Sequence, residues 1–576
     1  MPYSQPYCIC LRESMMSSSY NQWNTGVNAT TLKCSRSQLS AGSEMPANNN
    51  ELEKKLWDAA DELRANSKLK SSEYSMPVLG LVFLKWTDFK FAHAERELEE
   101  EAKKSSSSRR REISKVDYHA RGVIYVPDKA RYSYLMVLPE STDIGRAMND
   151  AMELIEAENE DLMGVLPKTY QNFESRVLLS LLRTFNSIPM DIEGDAFGRT
   201  YEYFLGKFAM AEGQKGGEFF TPTSIVRLIV EILEPFHGRI YDPACGSGGM
   251  FVQSARFVKE HQRNPSEEIS IYGQERVSET VKLCKMNLAV HGLAGDIREG
   301  NTYYEDIHVS RGRFDFVMAN PPFNVDRVDK DRIKDDPRFP FGLPKVDNAN
   351  YLWIQVFMSA LNDGGRAGFV MANSAADAQY SELEVRQGMI KSGVVDAVIL
   401  LGPKLFYTVA LPCSLWFFDR KKQTTKRKGS ILFIDARGIY VDVDRRHREL
   451  TEDQIDFIAD IVRLYRGDRA KLGKEKMEKC IDLGEFGNHS VGDLFPDCVF
   501  KDVTGLCKAV DLTDIKKSSL NPGRYVGVQA ENVDSEDFRE RMSSLFEECM
   551  VLKQNAIRLQ GIIERIVSEL MGLSSQ

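Results

Sequence analysis

The segment with the most chemistry in it is Asn320-Pro321-Pro322-Phe323. Two successive prolines have no N–H to donate and cannot continue a strand ladder, so they fix the chain in an extended path. Such a corner presents the Asn320 amide oxygen and the Pro321 carbonyl as neighbouring acceptors. An exocyclic amine such as adenine N6 requires acceptors of this kind. Its lone pair is delocalised into the ring, and two acceptors on its N–H groups favour pyramidal geometry and draw off charge as an electrophilic methyl arrives. This is electrostatic preorganisation and needs no covalent intermediate. Phe323 supplies a ring on which a base stacks once it has left the duplex. Asn-Pro is also a common turn dipeptide, so the motif gains its weight from what surrounds it.

Upstream stands Asp242-Pro243-Ala244-Cys245-Gly246-Ser247-Gly248-Gly249-Met250. Its glycines let the backbone turn tightly and approach a ligand. The helix predicted behind them offers its N-terminus to a carboxylate, such as that of an amino-acid moiety. A dinucleotide fingerprint needs a small residue where Phe251 stands, and a phosphate-binding P-loop needs Gly-Lys followed by Ser or Thr. Neither is present here. Glu275, after the next predicted strand, stands where an acceptor for ribose hydroxyls is expected. Asn301, after the third, is positioned to touch adenine. Either residue alone is an ordinary loop residue; their places at successive strand ends give them meaning.

These residues must be held by strands that alternate with helices. Strand-like segments occur at 239–241, 269–273, 296–299, Phe314–Ala319, 366–371, 394–401 and 414–418. Alternation with helical stretches implies βαβ units, hence an α/β fold with a mostly parallel sheet. Right-handed crossovers then put ligand sites at the carboxyl ends of the strands. Upstream, Leu52, Leu56, Ala59, Ala60 and Leu63 have helical spacing. An apolar stretch around Val78 to Trp86 follows, then a charged run from Glu95 to Arg111 that reads as a solvated helix and loop. The first ordered region is therefore mainly α. After Asp419 comes a basic run of Arg420, Lys421, Lys422, Lys426, Arg427 and Lys428. It fits a phosphate-contacting edge or a solvated hairpin equally well. Near the C-terminus Phe538, Met542, Leu545, Cys549, Leu552, Ala556, Leu559, Ile563, Ile566 and Leu570 alternate four and three apart, an a/d heptad seam. With no neighbouring helical partner in sequence, it favours pairing with another chain.

The expected domains are a disordered Ser- and Asn-rich extension at 1–48, a helical region at 49–195, a catalytic α/β domain at 196–475 and a C-terminal region with a long helix at 476–576. Met45 is a candidate natural start. The 576 residues are 42% hydrophobic and 28% charged, enough to bury a large core. The first 30 residues lack a signal-peptide core, and no apolar run is long enough to span a membrane. A cytoplasmic protein is expected. The ten cysteines are scattered. Cys8 and Cys10 are too close for the usual zinc pair, and no metal site is expected. The net charge of −9 is unlike that of proteins that grip DNA alone. Action on DNA then calls for a local basic surface or for a partner that does most of the holding.

The motifs together resemble the modification subunits of type I restriction systems, from Glu51 to the C-terminus. Gly217-Glu218-Phe219-Phe220-Thr221-Pro222 resembles an element of that family whose aromatic and Thr-Pro residues contact the methyl donor. Gly364-Gly365-Arg366 and Leu520-Asn521-Pro522-Gly523-Arg524-Tyr525 are further family-like segments. The resemblance implies a seven-stranded Rossmann-like class I methyltransferase sheet with its last strand antiparallel, a helical N-terminal domain and a C-terminal helical extension. It implies transfer of methyl from S-adenosylmethionine to adenine N6 in double-stranded DNA. Two such subunits would join a specificity subunit, bound through the C-terminal helices, and a restriction subunit would complete the nuclease. Three positions depart from the family pattern: Asn301 where an acidic residue is usual, Ala372-Asn373-Ser374-Ala375 where a proline-containing segment is usual, and Asn350 where Asp is common.

Other readings make different demands. A cytosine-C5 enzyme needs a Pro-Cys nucleophile and a Glu-Asn-Val element. Pro412-Cys413 and Glu531-Asn532-Val533 supply the strings, but both lie outside the places where that mechanism needs them. Cytosine-N4 or protein-glutamine methylation uses similar chemistry but predicts neither the helical N-terminal region nor the C-terminal seam. A scaffold with a vestigial pocket is the non-enzymatic alternative.

Overall fold

A computed structural model of the chain describes residues 71–104, 113–187, 201–208 and 221–528, apart from 140, 203, 346, 407–411, 446 and 469–471. It also describes scattered positions between 542 and 563. The expected helix at Leu52–Leu63, Met45 and the 1–48 extension lie outside the described residues, as do Gly217 to Phe220 and Glu531-Asn532-Val533.

Nine strands form one sheet: β1 (Gly238–Asp242), β2 (Ile269–Glu275), β3 (Gly295–Glu299), β4 (Phe314–Ala319), β5 (Leu361–Ala372), β6 (Val395–Leu401), β7 (Cys413–Asp419), β8 (Ser430–Ala436) and β9 (Cys507–Asp511). Their order is β9-β8-β6-β7-β5-β4-β1-β2-β3. The seven strands read from the sequence are all present, and β7 is antiparallel to both β5 and β6. Two strands were not foreseen. β8 adds in parallel to β6, and β9 closes that edge antiparallel to β8.

Period-two alternation decides which side chains go to which face. Along β7, Leu415 and Phe417 join one apolar cluster, while Trp416 and Phe418 join the other. Ile240 and Tyr241 of β1, and Ile399 and Val398 of β6, divide the same way. Both faces must therefore be covered by helices. On one side lie α4 (Thr223–Leu233), α5 (Gly249–Glu260), α6 (Ser278–Val290) and α9 (Glu452–Arg466); on the other, α7 (Asn350–Ala360) and α8 (Ser381–Ser392).

Upstream, α1 (Ser71–Lys104), α2 (Ile144–Glu158) and α3 (Ser175–Asn186) build a separate apolar cluster. The apolar stretch at Val78 to Trp86 and the start of the charged run are one helix, α1. Its charged end from Glu99 to Lys104 is exposed. The cluster takes in Met286 and Val290 of α6, and the Trp86 indole Nε1–H donates to the Val290 carbonyl at 2.9 Å.

Part of the basic run after β7 turns inward. An antiparallel β7 delivers it to the edge opposite the carboxyl ends of the parallel strands. There Lys422 is fully buried and donates to the Val395 and Ser430 carbonyls. Burial pushes its ammonium down to about 8. Arg427 pairs with Asp396 and, at 3.0 Å, with Asp419. Arg466 reaches Asp396 at 3.1 Å. Burial alone would raise the Asp396 carboxyl, but Arg466, Arg427 and Lys422 hold it below the usual carboxylate range. The run is thus divided: Lys422 and Arg427 turn inward, while Lys421, Lys426 and Lys428 are exposed.

Of the C-terminal seam, Met542, Ala556, Leu559 and Ile563 are described and helical, and Met542, Leu559 and Ile563 are exposed. No helix among the described residues is long and apolar enough to cross a membrane.

Candidate active site

The strand order reverses between β1 and β4: β2 and β3 extend one way from β1, while β4 and β5 extend the other. Crevices in open α/β sheets lie at such a switch point, outside the carboxyl ends of the strands. β1 and β4 are direct parallel neighbours, with Ile240 beside Phe316 and Tyr241 beside Val317. Asp242 and Ala319 therefore end adjacent strands at the same edge. From the first emerges the loop through Gly249, and from the second emerges Asn320-Pro321-Pro322-Phe323.

The glycine loop is shaped by its own backbone. The Asp242 Oδ1 accepts from Ala244 N–H at 2.9 Å, and Cys245 N–H donates to the Gln274 carbonyl of β2 at 3.2 Å. Gly246 and Gly248 have φ of +51° and +82°, a region that suits glycine. Gly248 caps α5, and a Cβ there would sit 2.8 Å from the Cys284 Sγ of α6. A Cβ on Gly246 or Gly249 would meet nothing within 4 Å, so the loop faces open room. Asn287 Nδ2–H of α6 donates to the Ser247 carbonyl at 2.8 Å and braces the loop from behind.

Glu275 ends β2 facing this loop. Its Oε2 accepts from Gly246 N–H at 3.2 Å, and its Oε1 accepts from Arg276 N–H and Val277 N–H. Asp242 is buried, and that burial raises its carboxyl well above the usual range; the neighbouring Glu275 charge adds to the rise, and the bond from Ala244 N–H offsets part of it. Asn301 follows β3, its Oδ1 accepting from Tyr303 N–H at 3.1 Å in a tight side-chain turn. The next residue, Thr302, donates to the Pro243 carbonyl at 2.6 Å and ties this turn to the glycine loop. Arg338, buried and paired with Asp336, donates to the Thr302 and Tyr303 carbonyls. Thr302 and Arg338 were missed by sequence reasoning. Nothing in the sequence marks them, because what ties them to the site is a set of main-chain oxygens, those of Pro243, Thr302 and Tyr303.

Asn320 Nδ2–H donates to the Thr221 hydroxyl at 2.8 Å. The described end of the Gly217–Pro222 element therefore meets the Asn-Pro-Pro-Phe corner directly. Pro222 is buried, and Phe323 is half-buried against the sheet core. The peptide after Phe323 is gripped by the start of α7. The structure thus brings Thr221, Asp242 to Gly249, Glu275, Asn301 and Asn320 to Phe323 to the carboxyl ends of β1 to β4. Glu218, Phe219 and Phe220 lie outside the described residues.

Cys413, the candidate nucleophile of the C5 reading, is buried within β7, and burial pushes its thiol up to about 12. A thiol so placed is inert.

Comparison with known proteins agrees along the chain. The family described as N-6 DNA Methylase matches residues 192–534, and the HsdM N-terminal domain matches residues 52–185. The type I restriction enzyme MjaIX methylase subunit of Methanocaldococcus jannaschii is 37% identical over 90% of this chain and 91% of its own. The type I restriction enzyme HindI methylase subunit of Haemophilus influenzae is 36% identical over 75% of this chain and 93% of its own. Among solved structures, a type I restriction-modification system methyltransferase subunit from Streptococcus thermophilus superposes with a TM-score of 0.66 at 20% identity. It covers 84% of this chain and 100% of that one, and shares the fold.

Proposed function

The chain belongs to the N-6 DNA methylase family, among the type I restriction enzyme methylase subunits, and from that premise we propose that it methylates adenine N6 in DNA as the modification subunit of a type I complex, with S-adenosylmethionine as donor. The observation that carries the site assignment is the emergence of the glycine loop and the Asn-Pro-Pro-Phe corner from adjacent strands at the switch point, with the corner tied to Thr221 through the Asn320 amide.

The residues present fit the donor. The loop has room above Gly246 and Gly249, a helix N-terminus behind it for a carboxylate, and a carboxylate, Glu275, for ribose hydroxyls. S-adenosylmethionine, when bound, supplies an electrophilic methyl on a sulfonium. Glu275 would accept from the ribose hydroxyls, and Asn301 would border the donor's adenine. Pro222 would border the donor, and the family resemblance assigns Glu218, Phe219 and Phe220 to the same contact. Thr221 fixes the rotation of the Asn320 amide. The Asn320 oxygen and the Pro321 carbonyl then accept from the N6 amino hydrogens of the target base, Pro322 keeps the corner extended, and Phe323 stacks on the base. Acceptors fixed before reaction cost no reorganisation during it.

Partners follow from the same reading. A specificity subunit supplies sequence recognition and much of the hold on DNA, as suits a net charge of −9. The C-terminal seam is its docking element, two copies of this chain serve one methylase, and a restriction subunit joins to make the nuclease.

The test is co-expression with the neighbouring specificity gene, followed by mapping of methylated adenines in the host genome. Asn320→Ala should abolish methylation and leave donor binding and assembly intact. Equal activity in the variant rejects the role given to Asn320, and a stable adduct on a 5-fluorocytosine duplex would move the reaction to the C5 class.

A further inference from the structure

We propose that the concavity at the carboxyl end of β5 is a nucleotide subsite, holding one nucleotide of the DNA strand beside the reacting adenine with its base on Tyr380 and its phosphate at Lys345. The inference rests on the reading of the chain as a DNA methyltransferase.

The cavity has a volume of about 750 Å³ and is lined by Lys345, Gln379, Tyr380, Ser381, Glu384 and Gln387, among others. That is within the ordinary size range of ligand sites. It lies between the loop that follows β4, which begins with Asn320-Pro321-Pro322-Phe323, and the start of α8, which follows β5. Lys345 N–H of that loop donates to the Ser381 Oγ of α8 at 2.8 Å. The subsite is thus built from the segments that follow β4 and β5, neighbouring strands of the sheet.

Tyr380 is the residue that asks for an explanation. It is 84% exposed, and its backbone lies at φ +60°, ψ −130°, where a side chain is strained. A strained residue persists only where the surroundings over-determine it, and such residues gather at functional positions. The segments on either side of it are tied to residues 518–524. Asp377 accepts from Asn521 Nδ2–H and Arg524 Nε–H, each at 3.2 Å. Buried Arg386 donates to the Ser518 carbonyl at 2.6 Å and to the Ala375 carbonyl at 3.2 Å. Leu520 N–H donates to the Ala376 carbonyl. Among the described residues, the Tyr380 ring has no aromatic partner and its hydroxyl no hydrogen bond.

The lining has the chemistry of a nucleotide. An exposed planar ring is a stacking platform that any base can use. Lys345 has no ion-pair partner among the described residues and suits a phosphate. Gln387 can donate to or accept from a base edge, and Glu384 accepts from an exocyclic amino group.

The test uses the full chain in complex with its specificity subunit and measures the Kd for a fluorescent duplex carrying the methylation site. Replacing Tyr380 with Ala or Gly should weaken DNA binding by about tenfold, and Tyr380→Trp should stay within about twofold of the parent. Donor binding should not change. Tyr380→Gly, which relieves the strained backbone, should raise Tm while it weakens DNA binding, a combination that a merely structural tyrosine cannot produce. Lys345→Gln should reduce the slope of log Kd against log salt by about one. Unchanged DNA affinity in Tyr380→Ala overturns the proposal. So does weakened assembly with the specificity subunit at unchanged DNA affinity, which would make the concavity a protein-docking site. If the parent complex binds donor and duplex but methylates no adenine, the assigned reaction fails, whereas the Kd comparison still decides the subsite.

Discussion

Asn324 and Asn350 hold each other by reciprocal bonds of equal length. Asn324 N–H donates to the Asn350 Oδ1 at 2.9 Å, and Asn350 Nδ2–H donates to the Asn324 Oδ1 at 2.9 Å. Asn324 directly follows the Asn-Pro-Pro-Phe corner and sits at φ +54°. Asn350 is buried and begins α7. The corner is therefore anchored at both ends, by Thr221 on one side and by the first turn of a core helix on the other.

Removing the α7 anchor should misplace the corner without touching the donor loop. Asn350→Leu is expected to lower kcat by roughly ten- to a hundredfold, since small displacements of acceptors are costly. It should cost about 1–3 kcal/mol of stability through the unsatisfied Asn324 groups. The KM for the donor should stay within about twofold. Steady-state kinetics with each substrate varied in turn checks this; a change confined to donor KM would contradict it.

Gly248 is constrained twice, by φ +82° and by Cys284 Sγ 2.8 Å from any added Cβ. Gly248→Ala should destabilise the protein by about 2–4 kcal/mol, combining left-handed strain with overpacking. Adding Cys284→Ala removes the clash and leaves the backbone strain. Chemical denaturation should therefore show the double variant recovering part, not all, of the loss. Full additivity of the two changes would mean that they do not touch.

Asp242 has a folded-state carboxyl raised by burial above its ordinary 3.8. A carboxyl raised on folding contributes stability that is fully present below its unfolded value and is lost as pH rises through its folded value. Asp242→Asn keeps the acceptor for Ala244 N–H and removes the buried charge. Its Tm should match the parent near pH 4 and exceed it increasingly toward pH 8. Melting curves across that range decide the matter, and a difference that shrinks with rising pH would reverse the assignment.

The buried ions at the far edge separate stability from catalysis. Asp396→Ala leaves Arg427, Arg466 and Lys422 facing one another with one carboxylate fewer. An unpaired buried charge of that kind costs about 3–5 kcal/mol. Donor affinity measured well below the variant's Tm should be unchanged, because the glycine loop is at the opposite ends of the strands. Calorimetry and equilibrium donor binding on the same sample test both halves.

Much of this architecture is written locally. Strands such as Val395–Leu401 announce themselves by apolar residues between turn signals, and the two ligand-facing loops by residues that cannot continue a strand. What sequence reasoning missed depends on distant partners. Cys507–Asp511 alternates too weakly to be read alone, and becomes a strand because Ser430–Ala436 offers it an open edge. Ser430–Ala436 was hidden by the cationic run before it. In sequence that run is a row of like charges; the counter-ions of Arg427, Asp396 and Asp419, sit on β6 and β7 and become its neighbours only when the sheet assembles. The Thr221–Asn320 bond is likewise beyond any spacing rule. Only the family resemblance put Thr221 near the donor.

Helix α6 has a double allegiance. Cys284 and Leu288 pack toward the sheet, while Met286 and Val290 pack into the upstream helices. A catalytic fragment cut free of those helices would carry an unsealed oily stripe and an orphaned Val290 carbonyl, and should aggregate in place of refolding. The same helix props Ser247 from behind. Loosening at Trp86 should therefore reach Ser247 through this helix, and amide exchange in α1 should slow when S-adenosylmethionine is added.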